Sequence, residues 1–153
     1  MTGLWHFVHY LSFVMWIGGG LSAMVAGVGM RRIDRALWGA VVDAQAAIYR
    51  VLVGPGAIIT VLSGIIMTME MYNGLASGQS APWLGTMQLS GILGALMMLF
   101  GAMPAAMKLS RLEPLGADAA AFDALRKRVA ITASIGGTLA LIALLAGAFY
   151  RRV

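Results

Sequence analysis

The chain has 153 residues, of which 60% are hydrophobic and only 11% are charged, and its mean hydropathy is +0.85. An average soluble domain carries roughly 25% charged residues, so this composition excludes a soluble globular protein, and the length indicates one domain covering residues 1–153. The net charge is +5, but the basic residues stand in short clusters beside apolar stretches, which is typical of topology signals and lipid headgroup contact rather than of nucleic-acid binding.

Four apolar stretches are long enough to cross a bilayer, which takes about 20 largely apolar residues in a helix. They cover about residues 4–30, 51–71, 83–107 and 129–150. The first stretch has no basic residue before it and is too long for the apolar part of a signal peptide, so we expect a retained helix. The sequence therefore predicts an all-α integral membrane protein, a four-helix bundle in a lipid bilayer.

The connections between these stretches differ in character. Residues 36–50 are rich in alanine with apolar residues at helical spacing, which predicts either a short surface helix or an extension of the second span. Residues 72–82 contain turn-forming residues and no charge, and residues 108–128 contain helix breakers followed by an amphipathic turn into the last helix. Pro55 and Pro104 are expected to bend the second and third helices.

Lysine and arginine are distributed unevenly between the two sides. The first and third connections hold most of them, whereas the opposite side holds only Arg151 and Arg152; the larger set is Arg31, Arg32, Arg35, Arg50, Lys108, Arg111, Arg126, Lys127 and Arg128. The positive-inside rule then predicts that both termini are extracytoplasmic. In a bacterial inner membrane, the two histidines would lie toward the periplasm.

Small residues recur where helices would touch. Gly91 and Gly94 in the third span, and Gly136 with Ala140 in the fourth, are expected to serve helix packing, because close backbone approach supplies much of the packing energy in lipid.

Both histidines belong to one stripe of the first helix. Residues at alternating spacings of three and four lie on one helical face, and this face carries His6, His9, Phe13, Trp16, Gly20, Ala23 and Gly27. We expect the stripe to face the bundle. Ionisable residues within membrane spans are usually functional, and His9 lies deeper than His6, which makes His9 the stronger candidate ligand.

A haem group at this stripe would need a ligand from elsewhere, because two histidines three positions apart on one helix point to the same side of it. Methionine is one source of a second axial ligand, and the candidates near the same membrane face are Met67, Met69, Met71 and Met87. The alternatives are a five-coordinate haem, or a second His9 supplied by another copy of the chain.

Other interpretations of the same residues remain open. The run Met67-Thr68-Met69-Glu70-Met71, together with His6 and His9, offers thioether and imidazole ligands suited to Cu(I), with Met67 and Met71 on one helical face. A copper-binding or copper-transporting protein is therefore one alternative. A cofactor-free structural subunit of a larger membrane complex is another. The sequence contains no pattern typical of a hydrolase.

The chain resembles the small helical membrane proteins of the HemJ-like and CopD-like group. The resemblance covers most of the chain and rests on His9 to Trp16 with Gly18 and Gly19, on Tyr49-Arg50 followed by Pro55 to Thr60 and Gly64, and on Pro82-Trp83-Leu84.

This resemblance implies a cofactor and a ligand. HemJ-type protoporphyrinogen oxidases bind haem b and have a histidine seven residues before a tryptophan, which matches His9 and Trp16 here. It implies haem b bound by His9. The leading interpretation is therefore a haem b-binding protein with a redox or electron-transfer role and a redox partner, in which Phe13 and Trp16 form pocket walls and Gly20 leaves space for the haem. Those oxidases also have a lysine where this chain has Met87 or Gln88, which counts against the oxidase activity. The CopD-like side of the resemblance implies copper handling.

Overall fold

The computed structural model describes residues 2–73 and 81–150, with side chains for residues 3–70 and 82–149. Six α-helices make up most of this part of the chain: α1 (Thr2–Gly29), α2 (Trp38–Ile48), α3 (Gly54–Asn73), α4 (Ala81–Leu96), α5 (Met103–Leu109) and α6 (Ala119–Tyr150). π-Helical turns join α2 to α3 at Tyr49–Val53 and α4 to α5 at Met97–Ala102, and short 3₁₀ turns lie at Met30–Arg32, Arg35–Leu37 and Gly116–Asp118. The described residues are all-helical and contain no strand.

Four of the resulting segments are long and apolar enough to cross a membrane: Gly3–Arg32, Arg35–Glu70, Pro82–Leu109 and Gly116–Phe149. The second and fourth segments begin well before the apolar stretches seen in the sequence. Of the two alternatives for residues 36–50, the structure has the extension of the second span, because α2 continues through the π-helical turn into α3. Most of the turn-rich stretch between the second and third spans, residues 74–80, lies outside the described residues.

The outer surface of these helices is strongly apolar. Large side chains such as Phe100, Val25 and Val14 are 73%, 67% and 66% exposed, respectively. Exposed apolar surface of this extent is rare on soluble monomers. The surface therefore suits a lipid bilayer.

The two ends of the molecule carry different chemistry. At one end, Arg35 lies beside the start of α6, with its Nη2 2.8 Å from Oδ2 of Asp123; we call this the arginine end. At the other end, His9 on α1 packs against α3, and Gln88 on α4 bonds to Thr68 of α3; we call this the histidine end. The first and third connections therefore meet at one end, as alternating helix directions require.

Close backbone contacts hold the helices in two pairs, α1 with α3 and α4 with α6. A Cβ at Gly56 would lie 2.8 Å from both the Ser12 carbonyl oxygen and the Trp16 amide nitrogen. A Cβ at Gly94 would lie 3.0 Å from the carbonyl oxygen of Gly136. The contact between Gly94 and Gly136 agrees with the packing role expected for these glycines, and it lets dispersion and weak polar contacts act over short distances.

Pro55 and Pro104 each follow a π-helical turn. Proline lacks the N–H group that would close the ordinary hydrogen bond of its turn. Just before Pro55, the Gly54 N–H donates to the carbonyl of Tyr49, and the Met103 N–H before Pro104 donates to the carbonyl of Met98. The two prolines thus widen the helices locally, and such turns recur at functional sites.

Candidate functional site

His9 contacts the second span through a direct hydrogen bond. Its Nδ1 lies 2.9 Å from Oγ of Ser63, and Ser63 is only 1% exposed. The Ser63 hydroxyl has one proton, which it donates to backbone carbonyls, chiefly that of Ile59 at 2.6 Å. The hydroxyl oxygen must therefore accept the bond from His9, so the Nδ1–H donates.

For a neutral imidazole ring, this direction fixes the tautomer. A neutral histidine carries its proton on one nitrogen and a lone pair on the other. With the proton held on Nδ1, the lone pair belongs to Nε2. A hydrogen bond from one ring nitrogen that leaves the other available is the usual arrangement of a histidine that ligates a metal, and it also raises the basicity of the ligand.

Two further hydroxyl groups fix the backbone of α1 at the same level. Oγ1 of Thr60 donates to Oγ of Ser12 at 3.0 Å, and Oγ of Ser12 donates to the carbonyl oxygen of His9 at 3.0 Å. Ser12 and Thr60 are 2% and 6% exposed. The half-buried side chain of His9 and the buried side chains of Ser12, Thr60 and Ser63 form a polar cluster between α1 and α3, which we call the His9 cluster.

Glycine brings the two helices close enough for this cluster. A Cβ at Gly64 would lie 3.2 Å from Cε1 of His9, which is tighter than an ordinary contact. The imidazole ring is therefore packed against bare backbone of α3. Any side chain at Gly64 would push the ring and weaken its bond to Ser63.

Trp16 lies two turns further along the same face of α1. Its side chain is 1% exposed, and its Nε1 is buried with no hydrogen-bond partner among the described residues. Phe13 meets the Trp16 ring edge-on, with the ring centroids 6.0 Å apart. An indole N–H buried without an acceptor is costly, which makes this atom a candidate donor to a bound group.

Gly20 and His6 continue the stripe in opposite directions. A Cβ at Gly20 would lie 4.0 Å from Cε of Met98, so this part of α1 faces the π-helical turn of the third span. His6 is half-buried and its ring centroid lies 6.4 Å from that of Tyr10. The inward orientation of Trp16 and Ala23, each 1% exposed, agrees with the expected stripe.

The methionines named from the sequence are spread over different surfaces. Met87 packs toward the fourth span, since a Cβ at Gly147 would lie 3.1 Å from its Sδ. Met67 is half-buried, whereas Met69 is 62% exposed. The side chain of Met71 lies outside the described residues. Residues 2–73 and 81–150 contain no group of three or more His, Cys, Asp or Glu side chains that could hold a metal ion.

Polar residues that the sequence interpretation did not single out complete the histidine end. Ser63, Thr60 and Ser12 support His9, and Nε2 of Gln88 donates to Oγ1 of Thr68 at 2.8 Å. Their signal in the sequence is the spacing of Thr60 and Ser63, which share one face of an otherwise apolar helix; Thr68 faces α4 instead. Single hydroxyl residues are common in membrane helices, so this spacing alone does not indicate a site.

Comparison with known proteins adds no assignment. No family model, curated protein or solved structure matches the chain.

Proposed function

We propose that the chain is an integral membrane protein, a four-helix bundle that binds haem b through His9 and serves as a redox or electron-transfer component. The observation that carries the proposal is the hydrogen bond from His9 Nδ1 to Ser63, because it leaves the lone pair on Nε2, the atom that would ligate iron. Bound haem supplies a one-electron iron couple whose potential depends on the axial ligand and its hydrogen bonds.

The donor chemistry around His9 fits haem. His9 offers one anchored neutral imidazole, Phe13 and Trp16 offer aromatic walls, and Gly20 leaves room beside α1. The unpartnered Nε1–H of Trp16 could donate to a polar atom of a bound group, and the buried Trp16 ring with the partly buried Phe13 ring would limit access of water to it. Ser63 would hold the imidazole in one orientation and tautomer.

The positions of the described methionines weaken the copper alternative, and they weaken a methionine as the second axial ligand of haem to the same extent. A Cu(I) site would require His6, His9 and the methionines to converge, yet Met87 packs toward Gly147 of the fourth span and Met69 is 62% exposed. Copper binding through His9, His6 and Met67 stays a distinct outcome of the test below, as does a cofactor-free subunit of a membrane complex.

The proposed orientation follows from the arginine end. Clustered Lys and Arg favour the cytoplasmic side, so this end would face the cytoplasm of a bacterial inner membrane. Both termini and the His9 cluster would then lie on the extracytoplasmic side.

The test is the absorption spectrum of detergent-purified protein, expressed with haem available and recorded oxidised and after dithionite reduction. We expect a Soret band in the wild type and in His6→Ala, and its loss in His9→Ala. Elemental analysis should find iron without copper.

Three results would reject the proposal. A wild type with no Soret band excludes haem binding. Copper without iron assigns the copper alternative, and stoichiometric partner subunits with neither metal nor band assign the cofactor-free subunit.

A further inference from the structure

A cavity of about 290 Å³ opens between the second and third spans at the arginine end. One wall comes from α2 and the π-helical turn after it, and the other from α5 and the residues that follow it. The lining residues are Asp43, Ala46, Ala47, Arg50, Met107, Ser110 and Arg111. The small alanines create the space, and three charged side chains surround it.

None of these three charged side chains forms a salt bridge within the described residues. The ion pairs there join Asp123 to Arg35 and to Arg126, and none of them involves Asp43, Arg50 or Arg111. Asp43 and Arg50, although they share a helical face, line the cavity without forming a salt bridge. Two guanidinium groups and one carboxylate therefore remain available to a molecule inside it.

The two charges that the second span contributes, Asp43 and Arg50, are ordered by depth. The chain runs from the arginine end along α2 toward the middle of the second span, so Asp43 lies nearer the end and Arg50 lies about 10 Å deeper along the axis, at 1.5 Å per residue. Arg50 belongs to the π-helical turn Tyr49–Val53. The negative charge thus lies toward water, and a positive charge lies toward the bilayer.

A phosphatidylethanolamine headgroup has the complementary order, with its ammonium group toward water and its phosphate deeper. Guanidinium groups bind phosphate with paired, charge-assisted hydrogen bonds, and basic pockets between membrane helices bind lipid headgroups. We propose that this cavity binds the phosphate of a phospholipid headgroup through Arg50 and Arg111, with Asp43 binding the ammonium group. The proposal rests on the membrane placement proposed above and is independent of haem.

Free phosphate shares the chemistry that the two arginines recognise, but it has no group for Asp43. One experiment with two arms distinguishes a phospholipid headgroup from free phosphate. In the first arm, native mass spectrometry measures lipid retained by the full chain released from micelles doped with equal amounts of phosphatidylethanolamine and phosphatidylglycerol. In the second arm, thermal melting is followed at rising inorganic phosphate with no added lipid.

We expect the wild type to retain one phosphatidylethanolamine. The double variant Arg50→Gln/Arg111→Gln should bind it at least about tenfold more weakly, since each tenfold step corresponds to the loss of about one charge-assisted contact. The matched control Arg31→Gln/Arg32→Gln removes two exposed charges of the same end and should bind like the wild type. Asp43→Asn should shift retention from phosphatidylethanolamine toward phosphatidylglycerol.

A second variant guards against misfolding of the double variant. Ala47→Leu keeps every charge and fills the cavity, so it should also reduce retention. Equal retention by the wild type, the double variant and Ala47→Leu overturns the proposal, and so does equal loss in the control. An unchanged lipid preference in Asp43→Asn overturns the assignment of the ammonium group to this residue.

A third outcome is a melting temperature that rises with inorganic phosphate only when both arginines are present, while no lipid is retained. That outcome would keep the phosphate site but would make free phosphate, and not a lipid, its ligand. The absorption spectrum of each variant separates this test from the haem proposal. A variant that loses lipid but keeps the wild-type absorption spectrum bears only on the lipid proposal and leaves the haem proposal unaffected.

Discussion

His9 and Ser63 lie 54 positions apart in the chain, and Nδ1 of the first is 2.9 Å from Oγ of the second. The bond links the first and second spans and determines which imidazole nitrogen keeps its proton. The haem proposal can therefore be tested without removing the ligand, because a substitution of Ser63 would change the orientation and tautomer of the His9 ring.

Ser63→Ala should weaken haem binding while leaving the ligand in place. Without the acceptor, the imidazole loses its fixed orientation and tautomer, and changes to such supporting residues commonly cost about 10–100-fold in metal affinity. Haem occupancy and the reduction potential of the purified variant measure the effect. Ser22→Ala is the matched control, since Ser22 is an exposed serine of α1 whose hydroxyl, within the described part of the chain, bonds to the carbonyl of Gly18 alone.

An unchanged occupancy and potential in Ser63→Ala would contradict the assignment of Ser63 as a positioning residue for His9. A loss of similar size in Ser22→Ala would show a general effect of removing a hydroxyl from these helices.

Gly56→Ala should separate α1 from α3. Its Cβ would lie 2.8 Å from two backbone atoms of α1, at Ser12 and Trp16, and backbone cannot move aside as a flexible side chain can. Overpacking of this kind costs about 1–3 kcal/mol, which denaturation in detergent would measure. Gly18→Ala is the control, because a Cβ there has nothing within 4 Å; a Gly56→Ala protein as stable as this control would disprove the tight contact.

Arg35→Ala should loosen the arginine end. Arg35 donates to the carbonyl of Pro114 at 2.7 Å and to Asp123 at 2.8 Å, and its guanidinium lies 5.0 Å from the centre of the Trp38 ring. The ion pair is partly exposed, so screening limits it to about 0–1 kcal/mol. The bond to the Pro114 carbonyl and the contact with Trp38 bring the expected total to about 1–2 kcal/mol.

Arg31→Ala, an exposed arginine of the same end, provides the comparison for Arg35→Ala. Thermal melting at low and high salt separates the contributions, because only the ion pair should weaken with salt. Equal melting of the two variants would show that Arg35 contributes no more than a surface charge.

Orientation can be tested directly because the chain contains no cysteine. Lys127→Cys, at the exposed start of α6, should react with a membrane-impermeant maleimide only after the inner membrane is opened. Gly3→Cys, at the exposed start of α1, should react in intact spheroplasts. The reverse pattern would show that the arginine end faces outward.

Much of the fold could be predicted from the sequence. The four apolar stretches and the basic clusters follow from composition along the chain, because a helix that meets lipid must be apolar over its length. The ends of the helices were harder to predict from the sequence. Residues 36–50 and 119–128 continue the second and fourth helices, since helical hydrogen bonding extends past the apolar stretch wherever no breaker intervenes.

The candidate site was only partly predictable. The inward stripe of α1 follows from helical periodicity, so His9, Phe13 and Trp16 could be named in advance. The partner of His9 could not, because Ser63 reaches it through the placement of Gly56 and Gly64 against α1. That Asp43 and Arg111 line one cavity likewise depends on how α2 packs against α5.

By itself, the sequence determined which segments are apolar, which end is basic and which face of the first helix carries the histidines, because these are properties of local order along one helix. Only the tertiary structure decided which nitrogen of His9 is held by Ser63, where the methionines point and which charges share a cavity. Those depend on contacts between helices, which are set by close backbone approach at glycines such as Gly56 and Gly64, and the order of residues along one helix does not say which residues of another helix they meet.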